Sequence, residues 1–353
     1  MKDTPNTPGV ARRVPSSQGR ASRVAVLLRI GISAVLLAWL LSRADLASVV
    51  QVLMNADLRL LAAAFALNLM GWTLSVTRWR LLLRARGVAV SFNTTLRSYL
   101  TGIFFNNLLP STVGGDSVRI YDSWRWGAGK AGAVAVVGVD RLTGLLALLS
   151  LAVVAVVLAP QLLSGVPLLR LWILLGALGL VTVAGIALIP DARVRAWIRP
   201  LLGWAPAFVR RTAEKVSGSL RAFRDEPRVV RRSLGISLIL QITVVLHAFL
   251  LTRALGLQVP LMALFFIIPV ALVIMSVPFS VNAIGIREGV FAFFLGLFGV
   301  SLSGALAFSW LAFGFILLQG AIGGLVYASG RRGRDERRRD TVRTPSLEDA
   351  YQE

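Results

Sequence analysis

The chain of 353 residues is 56% hydrophobic and 16% charged, far below the roughly 25% charged residues of a soluble domain, which excludes a water-soluble fold. Its net charge of +21 would suit nucleic acid, but no recognition fingerprint accompanies the arginines, which lie in tails and loops beside apolar runs as the positive-inside bias places them. Zero cysteines and one histidine exclude a disulfide framework, a thiolate nucleophile and metal sites rich in thiolate or imidazole.

Apolar runs long enough to cross a hydrocarbon core of about 30 Å recur along the chain. They lack the alternation of barrel strands, so the fold class is an all-α integral membrane protein. Residues 1–23 scatter Lys2, Arg12, Arg13, Arg20 and Arg23 among Pro, Ser, Thr and Gly and form a disordered basic arm in the cytoplasm. Val24 to Ser42 is the first span. Ser42-Arg-Ala44 resembles a signal-peptide cleavage site, but the apolar run is longer than a usual signal core and favours a retained anchor.

The link from Arg43 to Asp57 has one basic residue and falls outside. Leu58 to Thr77 returns to Arg78, Arg80, Arg84 and Arg86, a cytoplasmic end, with Trp72 and Trp79 suited to the interfacial belt. Thr95 to Leu109 is apolar but only about 22 Å long as helix, short for a span. It runs into Asn106-Asn107, Pro110, Gly114 and Gly115, which stop helices, and then meets Arg119, Arg125 and Lys130. Both flanks are basic, which predicts a re-entrant arm entering from the cytoplasm; such backbone is tolerated only inside protein or a wet cavity.

Ala131 to Leu158 crosses outward with Asp140 and Arg141 in it, and Leu171 to Ile189 returns. Residues 191–232 carry eleven Lys/Arg against four acids, the largest cytoplasmic segment. In it Val209, Ala213, Val216, Leu220 and Phe223 share one helical face, an amphipathic helix for an anionic surface. Ser233 to Thr252 crosses outward, holding Gln241 and His247. Gln241 and Gln319 suit interhelical hydrogen bonds, and His247 reads as a satisfied buried or interfacial group. Gly323-Gly324 marks close helix packing.

Ser303 to Ala328 is the last span, and residues 329–353 form a disordered tail whose arginines keep it cytoplasmic. Parity then requires Leu261 to Val300 to leave and return on the outer side, as two full spans or a second re-entrant hairpin. Its short arms and the break from Pro278 to Gly285 favour the hairpin. The sum is about six full transmembrane helices plus two re-entrant hairpins in a membrane domain of residues 24–328. Pro110 to Arg119 also aligns without a gap on Pro278 to Arg287, which predicts an inverted repeat with a site near the midplane.

A charge inside a bilayer costs at least about 2.5–3.5 kcal/mol, so each needs a partner or a task. The candidates are Asp116 and Arg119, Asp140 and Arg141, and Arg287 and Glu288. They either pair with one another to hold the hairpins, or their arginines bind an anionic headgroup through the fit of guanidinium to phosphate. Helix N-termini after Gly115 and Gly285 would add N–H donors to the same phosphate. No nucleophile, metal cluster, cofactor motif or nucleotide loop stands out.

Three blocks carry a family resemblance: Asn107-Leu-Leu-Pro-Ser-Thr-Val-Gly-Gly-Asp116 with Arg119, Val139-Asp-Arg-Leu-Thr-Gly144, and Pro278-Phe-Ser-Val-Asn-Ala-Ile-Gly-Ile-Arg-Glu288. Over residues 24–328 the chain resembles the transmembrane domain of lysylphosphatidylglycerol synthetases and its stand-alone flippase-like relatives. The resemblance implies a bacterial inner-membrane protein that moves a lipid between leaflets, with Asp116, Arg119, Arg141, Arg287 and Glu288 at matching positions. Asp140 stands where relatives carry Glu. The aminoacyl transferase domain of the full synthetases does not follow in these residues, so headgroup synthesis is not expected. Two alternatives remain: a membrane transferase using Asp116, Asp140 or Glu288 as acid or base, and a non-catalytic partner of a separate lipid-modifying enzyme, docked through residues 191–232.

Overall fold

The computed structural model describes residues 37–108, 113–159, 226–276 and 283–342, with Gly31, Val35, Gly176 and Phe223 besides. Among them all regular structure is helical. A short α1 (Leu37–Arg43) and α2 (Leu46–Met54) meet at 87°. Then come α3 (Leu58–Arg84), α4 (Phe92–Leu108), α5 (Val113–Ser123), α6 (Gly129–Leu158), α7 (Pro227–Ala254), α8 (Leu261–Ser276), α9 (Ile286–Gly296) and α10 (Leu302–Val342), with a π-helical turn, Trp124–Ala128, joining α5 to α6.

Of the six spans expected, four are helices long and apolar enough among the described residues: Leu58–Arg84, a stretch of Gly114–Leu158, Pro227–Ala254 and Leu302–Ser329. The bent pair α1 and α2 would make a fifth. Most of the first expected span, nearly all of Leu171 to Ile189, the amphipathic segment before Phe223, Pro110 and Pro278 lie outside the described residues.

Two expectations need correction. Part of the link from Arg43 to Asp57 is helix, because Asp45 caps α2: its carboxylate accepts the N–H groups of Ala47 and Ser48 at 3.0 and 3.3 Å and the Ser48 hydroxyl at 2.5 Å. The Ser48 hydroxyl, then the Ser48 amide, hold that carboxyl below its usual range. The last span, Leu302–Ser329, agrees with the expected Ser303 to Ala328, but its helix runs on to Val342 into the tail expected to be disordered, since Arg334 to Val342 contain neither glycine nor proline to stop it.

Contacts across the bundle fix the helix directions. His247 Nδ1 of α7 lies 3.0 Å from the Ala64 carbonyl of α3, and further along a side chain at Gly71 would meet Leu240, so α3 and α7 are antiparallel. The Asp57 amide, at the start of α3, donates to the Ala254 carbonyl at the end of α7 at 2.9 Å. Gly323 and Gly324 of α10 face Leu100 and Phe104 of α4, and Gly320 faces Asn107, so α4 and α10 are antiparallel. In a membrane, where lipid is as apolar as leucine, such close backbone approach drives association.

The chain doubles back twice. Hairpin α4–α5 is closed at Gly102 and Gly115, where the Gly115 amide donates to Asn106 Oδ1 at 2.7 Å, and lower down by the Ser98 hydroxyl donating to Asp122 at 2.5 Å. In hairpin α8–α9, Phe266 meets Phe294 edge to face with ring centres 5.8 Å apart. The turn into α9 passes through Ala283 and Gly285, with φ of 58° and 83°. Arg287 and Phe291 of α9 pack against Phe313 and Phe308 of α10, making α9 antiparallel to α10 and parallel to α4. One tip is therefore the end of its helix and the other the start, and the two hairpins reach the middle of α10 from opposite ends.

Close packing at the first hairpin yields a direct test. A Cβ on Gly115 would sit 2.6 Å from the Gly102 carbonyl oxygen and 2.7 Å from the Asn106 amide nitrogen. Gly115→Val is expected to cost about 1–3 kcal/mol or more by overpacking, read as a lowered midpoint of thermal unfolding in detergent. Gly314→Val, at a position with nothing within 4 Å, should shift it far less.

Candidate functional site: a buried arginine–aspartate cluster

Asp140 lies a third of the way along α6 and is 2% exposed. Its two oxygens hold two arginines: Arg78 Nε of α3 at 2.6 Å and Arg119 Nη2 of α5 at 2.9 Å. Arg78 also donates to the Ser237 hydroxyl of α7 at 2.7 Å. One turn away in α7, the Ser233 hydroxyl lies 3.1 Å from that of Thr143. Four helices thus meet at one carboxylate. The Arg119 guanidinium lies 4.6 Å from the ring centre of Trp79, whose indole N–H donates to Ser123 at 3.3 Å.

Charge is out of balance there, with two guanidinium groups facing one carboxylate. Arg119 is 8% exposed and its Nε is buried without a hydrogen-bond partner. Among the described residues only one other buried side-chain atom, Asn68 Nδ2, is left so. A buried donor without a partner typically costs about 1–3 kcal/mol, more when charged. An entering anion would relieve it.

Arg141, the next residue, turns about 100° around α6 and so meets α5 one turn away from Arg119. Its Nε and Nη2 grip Asp116 at 2.9–3.1 Å. This pair is more open, with side chains 55% and 24% exposed. Asp116 and Arg119, three residues apart on α5, share a face of that helix. The two groups thus lie side by side across α5 and α6.

Arg287 and Glu288 form a group of their own at the tip of the second hairpin. Arg287 Nη2 bonds Glu288 at 2.9 Å, its Nε lies 3.3 Å from the Ser309 hydroxyl, and its guanidinium stacks 4.1 Å from the ring centre of Phe313. The Glu288 carboxylate also reaches back to accept the Gly285 amide at 2.6 Å, capping α9. Both residues are buried. No described bond joins this group to the Asp140 cluster, so the three arginines singled out from sequence are held as two neighbours and one apart.

The sequence missed Arg78, Ser237, Ser309 and Phe313. It also misplaced both tryptophans: Trp79 is fully buried against Arg119, and Trp72 is buried with its indole N–H donating to Gln319 at 3.1 Å. Gln319 and Gln241 do bridge helices, the latter at 3.4 Å to the Gly144 carbonyl. His247, bonded to Ala64 and set edge-on to Phe315, is satisfied in place. Among the described residues no group of His, Asp and Glu could hold a metal ion.

Residues 26–324 match the family described as the lysylphosphatidylglycerol synthase TM region, and that stretch contains every charged group above. The chain belongs to this family. It is similar to a UPF0104 membrane protein of Methanothermobacter thermautotrophicus, 28% identical over 271 residues, which covers 68% of this chain and 72% of the relative. It is also similar to a UPF0104 membrane protein of Pyrococcus horikoshii, 30% identical over 96 residues, where the match spans 27% of this chain and 28% of that protein. No solved structure matches. With its apolar helices and this family, the chain is an integral membrane protein related to lipid metabolism.

Proposed function

We propose that this protein binds the phosphate of an anionic lipid headgroup near the middle of the bilayer and carries it between leaflets. The supporting observation is the excess positive charge at Asp140, where Arg78 and Arg119 outnumber the carboxylate and Arg119 Nε has no partner. Arg141, the more exposed arginine, takes the phosphate first, exchanging the fork it makes with Asp116 for an equivalent one to phosphate oxygens. Arg119 then completes the anion's shell from the buried side. The headgroup passes along a polar seam beside α10 while its acyl chains stay in lipid, and Arg287 at the opposite tip receives it.

In this scheme the two hairpins are halves of an inverted repeat, the arginine-rich end faces the cytoplasm with both termini, and the membrane is the bacterial inner membrane. Transport runs down a gradient of lipid. The test is purified protein in liposomes containing fluorescent anionic lipids. Wild type should move lipid between leaflets, and Arg287→Ala and Asp116→Asn should each reduce the rate at least tenfold, the effect of about 1.4 kcal/mol. Headgroup turnover without movement would transfer the assignment to the lipid-linked transferase, and neither activity would leave the non-catalytic partner.

A further inference from the structure

A basic groove lies at the arginine-rich end of the bundle, on the outer side of α3 and α7. Thr77, Arg80, Leu81 and Arg84 occupy one face of α3, at spacings of three and four. Arg232, Gly235 and Ile236 do the same on α7, and together they line a groove of about 340 Å³, within the range of small-molecule sites. Because the helices are antiparallel, Arg80, Arg84 and Arg232 gather with Leu81 at the basic end, and Gly235 and Ile236 continue the groove toward the bilayer interior.

The arginines are not equally committed. Arg80 is anchored, its Nε donating to the Val90 carbonyl at 3.0 Å and its guanidinium 5.9 Å from the Phe92 ring centre. Arg84 and Arg232 are exposed, with no hydrogen bond or ion pair from their side chains among the described residues. A Cβ at Gly235 would meet nothing within 4 Å, so the groove floor is open. Positive charge at the interface above an apolar trough is the complement of a phospholipid, whose phosphate sits at headgroup level and whose chain runs inward. A soluble phosphate would use only the upper half.

We infer that this groove is a binding site for an anionic phospholipid of the facing leaflet, separate from the Asp140 cluster. The lipid's phosphate bridges Arg84 and Arg232 beside Leu81, and one acyl chain runs inward along Gly235 and Ile236. Since Arg78 and Ser237 lie deeper, on the inner faces of the same helices, a lipid bound outside clamps α3 to α7 on the headgroup side of the buried cluster.

Native mass spectrometry of the full-length protein, titrated with phosphatidylglycerol or phosphatidylcholine, tests this. Wild type should retain two phosphatidylglycerols in preference to phosphatidylcholine, one in the groove and one at the Asp140 cluster. Each arginine near an anionic surface contributes about fivefold in affinity, so Arg84→Gln with Arg232→Gln should weaken retention about 25-fold. Gly235→Phe, which leaves every charge in place and fills the trough, should displace the lipid as well. Arg119→Gln should weaken only the lipid at the central site and leave the one that the groove variants displace, which separates the two sites. Equal retention by wild type and both groove variants would overturn the proposal. So would glycerol phosphate competing fully with the lipid and binding Gly235→Phe as well as wild type, since that marks a soluble-anion site.

Discussion

Asp140→Asn should destabilise the protein by about 3–5 kcal/mol, the usual consequence of removing one partner from a buried charge group. Wild type already holds two guanidiniums on one carboxylate; the amide would leave both buried with no counter-charge at that position, keep an acceptor for one arginine and turn an N–H donor toward the other. Chemical unfolding in detergent micelles, followed by tryptophan fluorescence, provides the measurement, and Trp79 beside Arg119 makes the signal local. The companion variant replaces the whole group, Arg78→Met, Asp140→Leu and Arg119→Met together. Burying apolar side chains of similar volume in place of such a group is often neutral or stabilising by about 1–4 kcal/mol, so the triple variant should regain most of what Asp140→Asn loses. If Asp140→Asn unfolds like wild type, the cluster does not hold the four helices together.

Arg119→Gln separates transport from architecture. Glutamine keeps a donor for the Asp140 oxygen that Arg119 now holds at 2.9 Å, and it removes the excess charge together with the unpartnered Nε. Stability should change little, because the remaining Arg78–Asp140 pair is electrically balanced. Lipid movement in liposomes should fall by about 10- to 100-fold, since a hydrogen bond to a charged group contributes roughly 1.5–3 kcal/mol. Arg119→Lys keeps the charge without the planar fork and should recover only part of the rate. A stable Arg119→Gln protein that moves lipid at the wild-type rate would remove the anion from this cluster.

The helical class, the shortness of α4 and the interruption between α4 and α5 were legible because they are local, although Asn106 and Asn107 stay inside α4 and Gly114 and Gly115 inside α5 instead of stopping them. Four of the six expected spans are matched by long apolar helices, and the other two fall largely outside the described residues. At the site, both members of each sequence-adjacent pair came into view, but the partners across space did not. Arg78 was read with Arg80, Arg84 and Arg86 as one basic end, although Ser75, Arg78, Trp79 and Leu82 share a buried face of α3 while Thr77 and Arg84 are exposed. Resolving the four arginines by helical angle would have separated the buried one. Asp140 and Arg141, adjacent in sequence, point into different neighbours for the same geometric reason.

Both hairpin tips attach to α10 within about one helical turn, Asn107 Nδ2 donating to the Ile316 carbonyl at 2.7 Å and Arg287 stacking on Phe313. Those anchor points are about 4.5 Å apart along the axis and lie near the centre of the 28-residue stretch Leu302–Ser329. A tilt of α10 about that centre swings its two ends in opposite senses, so a gap opened beside one hairpin narrows the space beside the other. In the proposed transport cycle the helix would then act as the beam of a balance, and a leak path open through both sides at once would be disfavoured.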